Sequence, residues 1–259
     1  MKEIAIVTGA AMGNGLGITK KLCEKGTAVM MFDMSDEVFK TADELKKDGY
    51  EVKAYKLDIT DSELVKLAVN DIISHYGNIH ILVNNAGVAR LAPFEETSTE
   101  MLDFHINVNL KGTWNVTQAV IPFMKKNHYG RIVNMSSVTG SMVCDRGYSA
   151  YAITKAGLTG FTRSIAREYA EYSITCNALC PGFILTPNVR RSAKSTCPED
   201  PQKVLDRMAK EIPMKRLGTP EDVGAYAAFL SDKSASYITG TVCVIDGGNL
   251  IPETNVMGV

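Results

Sequence analysis

The sequence has 259 residues, 45% of them hydrophobic and 22% charged, with 28 basic side chains against 29 acidic ones. A chain of this length buries roughly three quarters of its unfolded surface in one large core or at most two small ones, and its composition excludes intrinsic disorder. The near-even charge balance excludes a phosphate-driven nucleic-acid binder, which needs an excess of positive charge on one face.

The chain enters its first apolar run at Ile4, and that run is too short for a signal peptide or a membrane helix. No later run reaches the roughly 18 uninterrupted apolar residues of a membrane span, so the expectation is a cytoplasmic protein without membrane contact. Six cysteines (Cys23, Cys144, Cys176, Cys180, Cys197, Cys243) are scattered, which suits free thiols in a reducing compartment. Cys176 and Cys180 have a metal-like spacing but no second pair, and no metal site is expected. Near-continuous β-branched runs, as in buried parallel strands, recur at Ile4–Val7, Ala28–Phe32, Val52–Leu57, Ile79–Val83, Arg131–Met135, Ile174–Leu179 and Val242–Ile245. Helical patterns lie between them at about 15–26, 36–48, 61–76, 99–126 with a bend near Gly112, 148–171 and 220–230. Asp61, the Ser98–Glu100 approach and Pro220 with Glu221 and Asp222 supply acceptors and acidic groups where helix starts need them. Alternation of this kind predicts one doubly wound α/β domain over 1–259, with a seven-stranded, mainly parallel sheet flanked by helices. The stretch 183–212 is too polar for core and falls just past a strand end, where ligands bind; a partly helical lid is expected there. The tail after Gly248 is expected either to pack across a subunit interface or to fray.

The first strand runs into Thr8-Gly9-Ala10-Ala11-Met12-Gly13-Asn14-Gly15-Leu16-Gly17 and a helix follows. Glycines there let the backbone approach a pyrophosphate, and the helix start presents unpaired N–H groups. Asp33 closes the second strand, where a carboxylate suits the ribose hydroxyls of NAD and repels a 2′-phosphate, so NAD is expected in preference to NADP. Asp58 after the third strand either caps the next helix or accepts a bond from the adenine amino group. Asn84-Asn85-Ala86-Gly87 after the fourth has small residues to pass beneath an adenosine and amides to tie strand ends together.

Ser136-Ser137 ends the fifth strand, and Tyr151 and Lys155 follow at i,i+4 on one helix face. An ammonium beside a phenol lowers the phenol's pKa, so Tyr151 is placed to exchange a proton with a secondary alcohol or ketone. Ser137 is placed to hold the substrate oxygen.

Together with Asn107-Val108-Asn109-Leu110, Cys180-Pro181-Gly182, Thr186-Pro187 and Asp246-Gly247-Gly248, these motifs resemble a short-chain dehydrogenase/reductase over practically the whole chain. The resemblance implies a Rossmann-type domain with Tyr151 as acid/base, Lys155 lowering its pKa and gripping the nicotinamide ribose, Ser137 orienting the substrate, and Asn109 holding a water that links Lys155 to solvent. It implies a dinucleotide bound by Gly9, Asn14, Gly15, Leu16, Gly17, Asp33, Met34, Asp58, Ile59, Asn85, Ala86, Gly87, Pro181, Gly182, Ile184 and Thr186, besides Tyr151 and Lys155. It also implies a homo-oligomer, usually a tetramer, built across the helices at 99–126 and 148–171. Two departures stand out. The Gly15-Leu16-Gly17 triplet aligns best with two extra residues in the phosphate loop, which would send Leu16 into the core and let Gly17 pack closely. The Ser137–Tyr151 spacing is one residue longer than the commonest version, the extra residue falling in 141–147.

The substrate pocket is expected from Arg90, Met142, Val143, Tyr148 and Phe183. The apolar members suit a broad aliphatic face, so a hydroxysteroid of the bile-acid type is expected, as the resemblance to bacterial hydroxysteroid dehydrogenases also implies. A sugar alcohol, a 3-oxoacyl thioester and a non-catalytic dinucleotide-binding regulator are the alternatives. Arg90, Asp145 and Arg146 are placed either to meet hydroxyls or a carboxylate, or simply to solvate their loops.

Overall fold

The computed structural model describes residues 2–251; the tail from Pro252 onward, with its expected interface role, lies outside them. Seven strands form one sheet: β1 (Ile4–Thr8), β2 (Ala28–Asp33), β3 (Val52–Lys56), β4 (Ile81–Asn84), β5 (Gly130–Met135), β6 (Ile174–Pro181) and β7 (Val242–Ile245). Their order is β3-β2-β1-β4-β5-β6-β7, and every neighbouring pair is parallel. The order reverses between β1 and β4, so a crevice opens outside their C-terminal ends. All eight residues of β6 and all five of β1 are buried, which is why these runs are apolar without alternation.

Helices cover both faces. On one, α1 (Gly13–Glu24), α2 (Glu37–Lys47) and α10 (Pro220–Leu230) set Ile18, Leu22, Val38, Leu45 and Val223 against Ala5, Val7, Val29 and Met31. On the other, α3 (Ser62–Tyr76), α5 (Thr113–Lys126) and α7 (Ser149–Tyr169) bring Val65, Ile72, Val116, Val120 and Ala166 against Ile6, Met30 and Phe32. Alternate strand residues thus serve opposite layers. The seam between α1 and α10 is tight. A Cβ on Gly17 would overlap the Pro220 carbonyl, and one on Gly224 would overlap Gly17.

The predicted bend near Gly112 is a π-helical turn, Ile106–Gly112, set between α4 (Thr99–His105) and α5. A short turn, α6 (Val138–Ser141), follows β5, and Gly140 within it takes φ +90°. The stretch 183–212 holds two helices, α8 (Pro187–Thr196) and α9 (Pro201–Glu211), each opened by proline and capped by Thr186 or Asp200. Each buries a single residue, Ala193 or Leu205, so no apolar stripe announces them in the sequence. Among the described residues no helix is long and apolar enough to cross a membrane, and no cluster of three His, Cys, Asp or Glu could hold a metal ion.

Candidate active site

The chain leaves β1 through Gly9 and Gly13, at φ +63° and +55°, conformations that favour glycine. The Thr8 hydroxyl accepts the Asn85 and Ala86 amides, both at 2.9 Å. Asn85 Nδ2 donates to the Thr8 and Gly9 carbonyls at 2.9 and 3.1 Å. The end of β4 is thereby tied to the end of β1. Asn84 ties it onward, donating to Asn134 Oδ1 at 2.8 Å and Thr117 Oγ1 at 3.0 Å. A Cβ on Gly15 would run into the Gly9 carbonyl, so turn and helix start close only with glycine there. Leu16 packs against the core, and Gly17 lets α10 approach, as the triplet alignment requires. From the other side of the crevice Thr186 reaches Gly13: a Cβ on that glycine would stand 3.6 Å from the Thr186 Cβ. Pro181 closes β6, Gly182 lies against Asp246, and Ile184 is buried and bridged to Gly218.

The helix start that faces this turn is bare. Helix α1 has no side-chain cap and no acidic residue in its first turn, whereas Asp61, Thr186, Asp200 and Thr219 cap α3, α8, α9 and α10. Its free amides and positive dipole end are suited to phosphate oxygens. Beside them Asn14 Oδ1 is buried with no hydrogen-bond partner, an acceptor matched by a ribose hydroxyl. Both observations fit a nicotinamide dinucleotide.

Asp33 is otherwise engaged. Its Oδ2 accepts the Ala11 amide at 3.0 Å and its Oδ1 the Ser35 amide at 2.9 Å, so this carboxylate braces the glycine turn and its own strand end. Met34 beside it is exposed. Asp58 Oδ1 accepts the Thr60 amide at 2.8 Å within its own turn, and Asp61, not Asp58, caps α3. Ile59 is buried against Gly112.

At the chemical end, Ser137 lies two residues past β5 and caps α6, its Oγ accepting the Thr139 amide at 3.1 Å. Lys155, 5% exposed, donates from Nζ to the Met135 carbonyl at 2.6 Å, and its Nζ lies 5.6 Å from the Tyr151 ring centre. Burial pushes the Lys155 ammonium down to about 8. Burial likewise pushes the Tyr151 phenol up to about 12, against the pull of the Ser137 hydroxyl beside it. The expected lowering of the phenol by the ammonium is therefore outweighed in this structure: desolvation acts on both groups, and Lys155 spends its bond on the strand carbonyl. Asn109 sits in the π turn, donating to Thr154 Oγ1 at 2.9 Å and clasping Val88 through both backbone groups. Gly87 lies against Asn109 and Lys155; a Cβ there would stand 3.1 Å from Asn109 Oδ1 and 3.5 Å from Lys155 Nζ.

Sequence reasoning passed over Ser136, whose hydroxyl donates to the Lys155 carbonyl at 2.7 Å, and the Thr8 hydroxyl. Thr8 could have been found from its place immediately before the turn; Ser136 carries no such mark. Buried Cys180, its thiol pushed up by burial, also lies close to Lys155.

Two of the expected pocket residues, Met142 and Val143, share one groove. Tyr148 packs edge-on to Tyr151 with ring centres 6.0 Å apart, and burial raises its phenol. Met142 and Val143 line a groove of 450 Å³ with Ala152, Ile153 and Ala156, a face of α7 adjoining that of Tyr151 and Lys155. Met142, Val143 and Phe183 are 44%, 46% and 38% exposed, too open for a broad apolar slot. Arg90 is exposed, its guanidinium 4.0 Å from the Phe104 ring centre.

A family model described as Enoyl-(Acyl carrier protein) reductase matches residues 9–249. The chain is 49% identical over 257 residues to Oxidoreductase UcpA of Salmonella typhimurium, covering 99% of this chain and 98% of that protein. It is 39% identical to 3-oxoacyl-[acyl-carrier-protein] reductase FabG of Thermotoga maritima, covering 96% and 98%. Among solved structures, Thermoplasma acidophilum aldohexose dehydrogenase superposes with a TM-score of 0.90 at 33% identity, covering 100% of this chain and 97% of that one. Two further structures of the same fold hold the phosphorylated cofactor. ElxO with NADP bound has a TM-score of 0.89 at 32% identity, covering 97% and 100%. Actinorhodin polyketide ketoreductase with NADPH has 0.90 at 30%, covering 96% and 97%. These two overturn the expectation of NAD in preference to NADP. The physical reason lies at Asp33: each oxygen already accepts a backbone amide, so bracing the turn accounts for a carboxylate at this position without any preference for the unphosphorylated cofactor.

Proposed function

The chain belongs to the short-chain dehydrogenase/reductase family and is an NAD(P)(H)-dependent enzyme of CH–OH groups, and from that premise we propose that it interconverts a secondary alcohol and a ketone on a small polar substrate of the sugar or polyol kind. The observation that carries the reading is half-buried Tyr151 and buried Lys155 beside Ser137, at the end of the sheet that bears the bare start of α1. A dinucleotide held there would supply the hydride chemistry, as acceptor in alcohol oxidation and as donor in ketone reduction. Tyr151 takes the hydroxyl proton in oxidation and gives it back in reduction. Ser137 holds the reacting oxygen next to that phenol. Lys155, charged at neutral pH despite its burial, favours the ionised phenol and holds the ribose, while Asn109 clasps Val88, next to the Gly87 that lies against Lys155. The α1 amides with Gly9, Asn14 and Gly15 carry the phosphates and ribose, and Thr186 closes the crevice from the α8 side, with α8 and α9 as the lid.

The steroid expectation gives way for two reasons. The apolar rim residues stand open to water, and relatives of this chain are named for an aldohexose, a 3-oxoacyl carrier-protein thioester or a polyketide, none of these for a steroid. The FabG relationship supports a second reading, reduction of a 3-oxoacyl thioester. Assembly into a homotetramer belongs to the same proposal, supported by the exposed Trp114 of α5, stacked 5.7 Å from Phe161 of α7, and by the exposed Ile153.

The test follows nicotinamide absorbance with both NAD⁺ and NADP⁺, offering D-glucose, gluconate, polyols, 3-hydroxybutyryl-coenzyme A and a bile acid. Turnover of a sugar or polyol is expected. Turnover of the thioester alone would replace the first reading by the second, and turnover confined to the bile acid would overturn both.

A further inference from the structure

From Gly87 to Ala92 the chain forms a strap without regular secondary structure, running from the buried ammonium of Lys155 to the loop before Tyr148. It is pinned at both ends: Gly87 lies against Lys155 and Asn109, and the Ala92 amide donates to the Gly147 carbonyl at 3.2 Å. Between these pins two side chains of one helix clip it. Asn109 binds both backbone groups of Val88. His105, one helical turn earlier, accepts the Arg90 amide on Nε2 at 3.0 Å, while its Nδ1 lies 2.8 Å from the Met101 carbonyl.

The partners dictate the state of this ring. A backbone N–H only donates and a carbonyl only accepts, so Nε2 is bare and Nδ1 carries the proton. The imidazole is fully buried, and one of its two bonds reaches outside its own helix, to the strap. An apolar residue would fill the same space without needing either bond. The neighbouring Phe104 holds the other half of Arg90, its ring lying 4.0 Å from the guanidinium and edge-on to His105. Main chain and side chain of Arg90 are thus fixed by adjacent residues at the point where the helix passes into its π turn, a feature that often marks functional sites.

We infer that His105 is a positioning residue for the substrate: with Asn109 it registers the strap and so sets where Arg90 stands at the mouth of the site. This rests on the reading of Tyr151 as the proton-transferring group. The glycine turn is untouched by the clip, so the effect falls on the substrate and spares the dinucleotide.

The experiment compares His105→Leu, which removes the acceptor, with His105→Gln, whose Oε1 can still accept the Arg90 amide, and with Arg90→Ala. NADPH affinity is read by fluorescence titration, and KM and kcat with acetoacetyl-coenzyme A and NADPH or D-glucose and NADP⁺, whichever pair the wild-type protein turns over. His105→Leu is expected to raise KM roughly fivefold or more, the effect of one lost hydrogen bond, with NADPH affinity and kcat little changed. His105→Gln recovers most of it, and the Arg90→Ala/His105→Leu double variant is no worse than the weaker single. An unchanged KM, a parallel loss of NADPH affinity, or strictly additive effects would overturn the inference. Hydrogen exchange gives a readout independent of turnover: the Arg90 amide loses protection in His105→Leu and keeps it in His105→Gln, while Val88 stays protected in both. If neither substrate pair reacts, the polyol or other alcohol turned over in the function test replaces them, and turnover of none of that panel refutes the proton-transfer reading; the exchange result then decides the clip by itself, and equal protection of Arg90 in all variants sinks it. Should His105→Leu not fold, His105→Gln and Arg90→Ala carry the test, and an unchanged KM in Arg90→Ala refutes it.

Discussion

On the nucleotide side of the crevice, Thr8, Gly9, Gly15 and Asn85 are locked by bonds of 2.9–3.1 Å and by contacts that leave no room for a Cβ. On the substrate side, Met142, Val143, Phe183 and Arg90 stand exposed on loops. The first region is a single solution to a steric problem, so a change of one atom is felt throughout it. The second is a rim on which side chains can be exchanged at small cost to the fold, which is how one scaffold serves many substrates.

The largest effect expected is chemical. Tyr151→Phe keeps the ring and its packing but removes the proton carrier, and turnover should fall by about 10³-fold while dinucleotide affinity stays near wild type. Initial rates and a nucleotide titration check both halves.

Gly15→Ala sharpens the steric side of the contrast. The added methyl meets the Gly9 carbonyl, so the variant should lose about 1–3 kcal/mol of stability along with its dinucleotide affinity, read from denaturant midpoints and the same titration.

Lys155→Met separates function from stability. The ammonium is depressed from 10.5 to about 8 by burial, so the folded state gives up a proton that the unfolded chain retains. That cost is absent above the ordinary lysine pKa, grows as pH falls from 10.5 to 8, and is complete below. Without dinucleotide at pH 7, the variant should be more stable by about 2 kcal/mol, after allowing for the lost bond to Met135, and the gain should vanish by pH 10.5. Activity should fall sharply. Denaturant titrations at the two pH values provide the check.

The smallest effect belongs to the rim. Met142→Ala should change stability by less than about 0.5 kcal/mol, and substrate KM by only a few-fold. A loss of dinucleotide affinity in this variant would show that the two regions are not separable.

How much of this was legible follows the same division. All seven strands were readable to within two residues: the five inner ones are buried on both faces and their composition says so, while the edge strands β3 and β7, only partly buried, still carry β-branched residues. The glycine turn and the Tyr151–Lys155 spacing were readable because sterics and chemistry admit few other residues there. Helices α8 and α9 were legible only as a partly helical stretch over 183–212, without their bounds, since each buries one side chain and shows no stripe. The π turn was readable only as a bend at Gly112, because one extra residue in a helical ring leaves the composition unchanged. Asp33 was misread for a different reason: a strand-end carboxylate looks the same whether it meets a ribose or two backbone amides. Met142 and Val143 were apolar in the right loop, yet the loop turns them toward Ala152 and Ile153.

The seam between α1 and α10 bears on how the protein is made. Gly17 and Gly224 touch across more than two hundred positions, and Pro220 floors the turn that opens the chain. During synthesis the apolar face of α1, with Ile18 and Leu22, waits for its cover until the last helix has left the ribosome. A chain halted before residue 220 is therefore expected to leave this seam open, with Gly17 lacking its partner helix however complete the turn before it.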